Sequence, residues 1–179
     1  MRTTIRKLFW AWEFDKEEKW LNEMAAAGHA LCGVGWCRYE FEPCQPGEYE
    51  VRLQLLENDL KDAKSVEYLS LLEETGAVHV GSWMRWVYLR KRTADGPFEL
   101  FSDNASRAKH LSVILALLVP IMLLNLFVGF YNVFLALTIG VGINYLGFVN
   151  LILGGLCAVG YVRLRKKKDA LEAHRQLFE

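Results

Sequence analysis

The sequence predicts an α+β protein: a ferredoxin-like β-α-β-β-α-β sandwich with an antiparallel sheet, followed by a two-helix transmembrane hairpin. Three observations carry this. Strand and helix signals alternate through the first 90 residues; residues 111–162 contain no Asp, Glu, Lys, Arg or His; and charge is distributed unevenly around that gap. Lys+Arg and Asp+Glu are 21 each over 179 residues. Residues 1–110 hold 15 basic and 18 acidic side chains, and residues 163–179 hold 6 and 3. A domain of this size cannot hide 52 uncharged residues in its own core. That excludes a purely soluble chain, a disordered one and a disulfide scaffold.

Taken in order, residues 5–14 are aromatic-rich and short, a strand signal. Asp15 opens a helix with Glu18 in capping-box spacing; Trp20, Leu21, Met24 and Ala25 form its apolar stripe, and Gly28 stops it. Residues 31–41 read as a second strand and Pro43 to Gly47 as a turn. Residues 48–55 alternate, with Tyr49, Val51, Leu53 and Leu55 on one side and Glu50, Arg52 and Gln54 on the other. A second helix runs over 62–75, ended by Gly76, and 78–90 is a long final strand. After a break at 93–97, residues 98–101 suit a short strand, and Ser102 or Asp103 can cap a helix entering the membrane. Strand–helix–strand–strand–helix–strand in so few residues favours the ferredoxin-like layering, with both helices on one face.

The uncharged run fits two crossings, because a bilayer core takes about 20 apolar residues per helix. The spans fall at 111–131 and 143–162, joined near 132–142, with Pro120 tolerated inside the first. Ser112, Asn125, Asn132, Thr138, Asn144 and Asn150 are their few polar groups. Ala136/Gly140 and Gly154/Ala158 have the small-residue spacing that lets helices approach closely. No ionisable group at membrane depth argues against a conduction path. Arg107, Lys109 and His110 precede the first span, and Arg163, Arg165, Lys166, Lys167 and Lys168 follow the second. Positive flanks stay on the cytoplasmic side, so both termini are expected in the cytoplasm of a plasma-membrane protein. The basic run also suits lipid headgroups. The expected domains are 1–105 (cytosolic), 106–165 (hairpin) and 166–179, a basic tail with Leu171, His174 and Phe178 on one side.

Further residues carry a resemblance. They are Phe9 and Trp12, the stretch Glu18-Lys19-Trp20-Leu21-Asn22-Glu23-Met24, Gly28, Tyr39, Phe41, Tyr49, Tyr68, Gly76, the strand end at 86–91, and Leu100-Phe101-Ser102-Asp103. Over residues 5–105 they resemble a bacterial domain family of unknown function often encoded beside PadR-type transcriptional regulators. The Trp-Leu-x-x-Met-x-x-x-Gly core is the most specific piece. The chain departs from the family pattern at Gly76-Ala77, where Gly-Trp is expected. The resemblance implies a regulatory, membrane-associated setting and transfers no activity.

No nucleophile, Walker, dinucleotide or zinc-protease motif is present, so neither catalysis nor a cofactor is expected. Cys32, Cys37 and Cys44, near His29, lack zinc-knuckle spacing and read as buried thiols rather than a metal site. The sheet face away from the helices is the expected binding surface. Glu50, Arg52 and Gln54 share it with Trp36, Arg38 and Glu40 and with His79, Trp83 and Arg85. Trp36, Arg38, Arg52, Trp83 and Arg85 form the contact set, since Trp and Arg dominate binding hot spots. The expected function is a membrane-anchored regulatory or adaptor protein that binds a protein partner or a second copy of itself, and lipids. Nucleic acid is excluded by the acidic domain charge. The alternatives are a sensor of lipophilic or cationic small molecules at the membrane and an accessory subunit of a membrane transporter.

Overall fold

Residues 31–41 form a hairpin rather than one strand, and so do residues 78–90. The computed structural model describes residues 2–139 and 145–176, in two units, Met1–Ser102 and Asp103–Glu179. The first unit contains β1 (Thr3–Arg6), α1 (Phe14–Ala26), β2 (His29–Gly35), β3 (Arg38–Pro43), β4 (Tyr49–Leu55), α2 (Ala63–Glu74), β5 (Val78–Trp83) and β6 (Trp86–Arg92). The strands pair as two antiparallel three-stranded sheets, β1-β3-β2 and β4-β6-β5. The α+β class therefore holds, while the single four-stranded sheet of the ferredoxin-like arrangement gives way to two sheets. The cause is local. Trp36-Cys37 and Met84-Arg85 are two-residue turns, with Cys37 (φ 50) and Met84 (φ 53) in the left-handed region. A non-glycine residue there gives no turn signal in sequence.

The unit is a duplicated β-α-β-β module. Trp20-Leu21-x-x-Met24-x-x-x-Gly28 recurs 48 residues on as Tyr68-Leu69-x-x-Leu72-x-x-x-Gly76. Gly28 and Gly76, both at φ 87, terminate α1 and α2 at places an L side chain resists. The bulge in β2 between Leu31 and Gly33 returns in β5 between His79 and Gly81. The two modules approach closely, since a Cβ on Gly81 would lie 3.3 Å from the Val34 backbone nitrogen.

α1 begins at Phe14 after a 3₁₀ turn (Ala11–Glu13), ahead of the expected start at Asp15, and its N-cap residue Glu13 makes no side-chain cap. Glu18 is used elsewhere: its Oε2 accepts from Leu53 N at 2.9 Å. One turn on, Asn22 Nδ2 donates to Val51 O at 3.0 Å and Asn22 Oδ1 accepts from Val51 N at 2.9 Å. β4 is an edge strand, and these two side chains satisfy the backbone groups that an open edge leaves unpaired. The first strand stops at Arg6, so Phe9, Trp10 and Trp12 lie in the connection, where Trp10 and Trp12 stack at 5.1 Å. α2 matches expectation, with Asp62 accepting from Lys64 N at 2.9 Å as its N-cap.

Among the described residues of the first unit, two apolar clusters form the core. Leu21, Leu31, Tyr39, Phe41, Val51, Leu53 and Tyr88 form the larger; Leu56, Leu69, Ala77, Val87, Leu89 and Phe98 form the smaller. The β4-β6-β5 sheet is covered on both faces, by α1 on one and by α2 with Phe98 on the other. Phe98 therefore contributes packing, not a strand.

The second unit is α3 (Asn104–Ile139) packed against α4 (Tyr145–Gln176). Asp103 Oδ1 accepts from Ser106 N at 2.6 Å and caps α3, as expected of that position. Both helices are long and apolar enough to cross a membrane. Their large side chains face outward: Phe127 is 68% and Leu137 82% exposed. Asn125, Asn132, Thr138 and Asn150 donate to the carbonyl four residues back, which settles their polar groups within the helix. Close approach is made by Gly129, Gly147 and Gly154. A Cβ on the first or last would meet Leu151 or Leu126 at 2.7 Å. Residues 166–176 continue α4. The expected connection near 132–142 is helix as far as Ile139; Gly140, Gly142, Asn144 and Phe178 lie outside the described residues.

Candidate functional site

The expected contact set comes apart into three places. Trp36, 73% exposed, occupies the β2–β3 turn beside Arg38, whose Nη2 pairs with Glu40 at 2.5 Å. Trp83 and Arg85 flank the β5–β6 turn with Met84, which is also 73% exposed; Arg85 Nη1 donates to Glu57 O at 2.7 Å. Arg52 belongs to neither group. The register Arg52↔Leu89, Leu55↔Trp86 and Trp83↔Trp86 puts Arg52 and Trp83 on opposite faces of the sheet. Arg52 Nε donates to Phe98 O at 2.9 Å, and its guanidinium pairs with Glu18 and Glu50. It is a brace holding the 98–101 segment onto β4, not a contact residue. The single shared face was expected from counting parity along one long strand, and the turn at Met84-Arg85 breaks that count.

A second constellation lies inside the larger core. Glu17, on the inward face of α1, is 8% exposed. Its Oε1 accepts from Tyr39 Oη at 2.7 Å and from Tyr88 Oη at 2.6 Å, one tyrosine from each module. No Lys, Arg or His pairs with it among the described residues. Rings surround it. Trp20 meets Tyr39 edge-on at 5.1 Å, Phe9 meets Trp20 at 5.7 Å, Tyr39 meets Tyr88 at 6.4 Å, and Phe14 meets Trp86 at 5.8 Å. Phe9, Phe14, Trp20 and Trp86 are only half-buried. Lys7 Nζ sits 4.4 Å from the Trp20 ring and 4.9 Å from that of Phe9.

Burial pushes the Glu17 carboxyl above the ordinary carboxylate range, against the pull of the two tyrosine hydrogen bonds. The same burial, with the nearby carboxyl, raises both phenols, which stay protonated donors. A carboxyl whose folded pKa exceeds its unfolded one holds an extra proton in the native state. Its contribution to stability is therefore greatest below the ordinary carboxylate pKa and declines as pH rises toward the raised value.

The cysteines are free and, for Cys32, Cys37 and Cys44, half-buried rather than buried. Desolvation raises the Cys32 and Cys44 thiols, which lowers their thiolate character. Among the described residues no three His, Cys, Asp or Glu side chains cluster as a metal site would need. In the basic run of α4, Arg165 pairs with Asp169 at 3.0 Å and Lys168 with Glu172 at 3.5 Å; Arg163, Lys166 and Lys167 share the same stretch of helix.

The model of one protein family matches residues 13–123, well over half of the chain, from the start of α1 into α3. That family is one of unknown function, and the match runs further into the apolar helices than the resemblance over 5–105 implied. No curated protein and no solved structure matches.

Proposed function

We propose, from the premise that the chain belongs to the DUF2812 family of proteins of unknown function, that it is a membrane-anchored regulatory or adaptor protein. It catalyses nothing, and its N-terminal α+β domain holds a protein partner on the cytosolic side. The carrying observation is that the equivalent hairpins of the two modules each end in a large apolar side chain, Trp36 and Met84, at 73% exposure with an arginine close by. Burying such a side chain in a partner is worth about 1.5–3 kcal/mol, and Trp with Arg is the pairing that anchors interfaces. Arg38, Trp83 and Arg85 complete the two tips; Arg52, as a brace, does not take part.

α3 and α4 cross the plasma membrane, and both ends of the chain face the cytoplasm. Arg107 and Lys109 precede the apolar run and Arg163, Arg165, Lys166, Lys167 and Lys168 follow it, while the connection carries no basic residue. The basic run sits where anionic headgroups add about 1 kcal/mol per residue. The neighbourhood of PadR-type regulators, implied by the resemblance, supports a regulatory setting. Native mass spectrometry of the gently extracted complex provides the test. A companion present with the wild-type chain should be lost on Trp36→Ala with Met84→Ala, with the melting temperature unchanged. Retention of that companion, or a terminal reporter answering from outside the cell, overturns the reading.

A further inference from the structure

The duplication supplies an internal control on Glu17. Forty-eight residues on, in the same place in α2, stands Ser65, which is 5% exposed. The module is thus built with a small neutral residue where α1 carries a carboxyl, so helix packing does not call for the acid. A carboxyl with no cation beside it is costly to bury, and a group so perturbed marks a candidate functional site. The surroundings are suited to meeting a cation. Half-buried Phe9, Trp20 and Trp86 pack against the cluster that holds Tyr39 and Tyr88, Phe14 meets Trp86, and Phe9 and Trp20 already hold the Lys7 ammonium on their faces.

We propose that Glu17, Tyr39 and Tyr88, walled by Phe9, Phe14, Trp20 and Trp86, form a binding site for a lipophilic organic cation of the quaternary-ammonium class. Glu17 meets the charge, the rings take the apolar body, and the two phenols hold the carboxylate while the site is empty. The half-buried rim rings open the way by turning about their side-chain bonds, without movement of the strands. Tyr39 and Trp86 adjoin the two hairpin turns, but Glu17 lies on α1, so Glu17→Gln tests cation binding with Trp36 and Met84 untouched, and partner capture is tested apart from it.

The test uses the full chain in detergent, titrated with benzyltrimethylammonium and with neopentylbenzene, its uncharged isostere. Tryptophan fluorescence and the melting temperature are the readouts. The cation should quench fluorescence and raise the melting temperature, and the isostere should do neither. Glu17→Gln should weaken cation binding at least about tenfold while melting no lower than the wild type, because it removes the carboxyl that burial disfavours. Tyr88→Phe keeps the carboxyl but removes a hydrogen bond that favours its ionised form, so it should bind the cation more weakly near neutral pH and regain wild-type binding as the pH is raised. It also decides the matter should Glu17→Gln fail to fold. No binding by the wild type, equal binding by the isostere, equal binding by Glu17→Gln, or a loss of binding in Tyr88→Phe that raised pH does not restore each overturns the proposal.

Discussion

Leu21→Ala is expected to destabilise the N-terminal unit by about 2–5 kcal/mol. Leu21 is fully buried on α1, and its cluster gathers strands from both sheets: Leu31, Tyr39 and Phe41 from one, Val51, Leu53 and Tyr88 from the other. Truncation leaves a cavity whose walls are fixed by two sheets at once, so collapse around it is restricted. Against a total stability of about 5–15 kcal/mol, that loss is a large share of the fold. The equivalent change in the second module, Leu69→Ala, should cost less. Leu69 is 9% exposed and packs in the smaller cluster against α2's own sheet and Phe98. Denaturant titration of both variants, followed by near-UV circular dichroism, measures the difference. Equal losses would show that the modules carry equal shares and that the core is not centred on α1.

The second large effect is expected in the membrane unit. Gly154→Leu places a Cβ 2.7 Å from Leu126 side-chain atoms and 3.1 Å from its backbone nitrogen, and Gly129 stands in the same relation to Leu151. A side chain can rotate away, but a helix backbone cannot, so α3 and α4 must move apart. Overpacking of this kind costs about 1–3 kcal/mol. In lipid no hydrophobic effect draws the helices back together, and close packing is most of what joins them. Gly155 has nothing within 4 Å of its Cβ position, so Gly155→Leu is the matched control. Electrophoretic mobility in SDS reports whether the hairpin stays closed: Gly129→Leu and Gly154→Leu should shift it, and Gly155→Leu should not. A shift in all three would assign the effect to added bulk alone.

Gly154 was visible in the sequence as half of a small-residue pair, whereas Gly129 and Gly147 were not, because each matters through one specific facing residue on the other helix. The same division runs through the candidate sites. Trp36, Arg38, Trp83 and Arg85 were legible as residue types suited to binding, and the structure leaves the two tryptophans exposed. Arg52 carries the same type signal and is a brace, because its neighbours Phe98 and Glu18 arrive from distant parts of the chain. Glu17 looked like one more surface acid in a helix rich in them. Its partners Tyr39 and Tyr88 lie 22 and 71 residues away, and no local spacing joins the three.

What the sequence determined by itself was composition and local periodicity. Two apolar helices of membrane length, α1 and α2 with their glycine stops, the β4 alternation and the Asp103 cap all follow from interactions within a few residues, where side-chain order maps directly onto geometry. Only the tertiary structure decided the rest. The left-handed turns at Cys37 and Met84 split two runs into hairpins and one expected sheet into two. The Met84 turn also set the register that puts Trp83 on the face opposite Arg52. Strand pairing and burial depend on contacts between residues far apart in the chain, and a turn held by those contacts needs no glycine or proline to announce it.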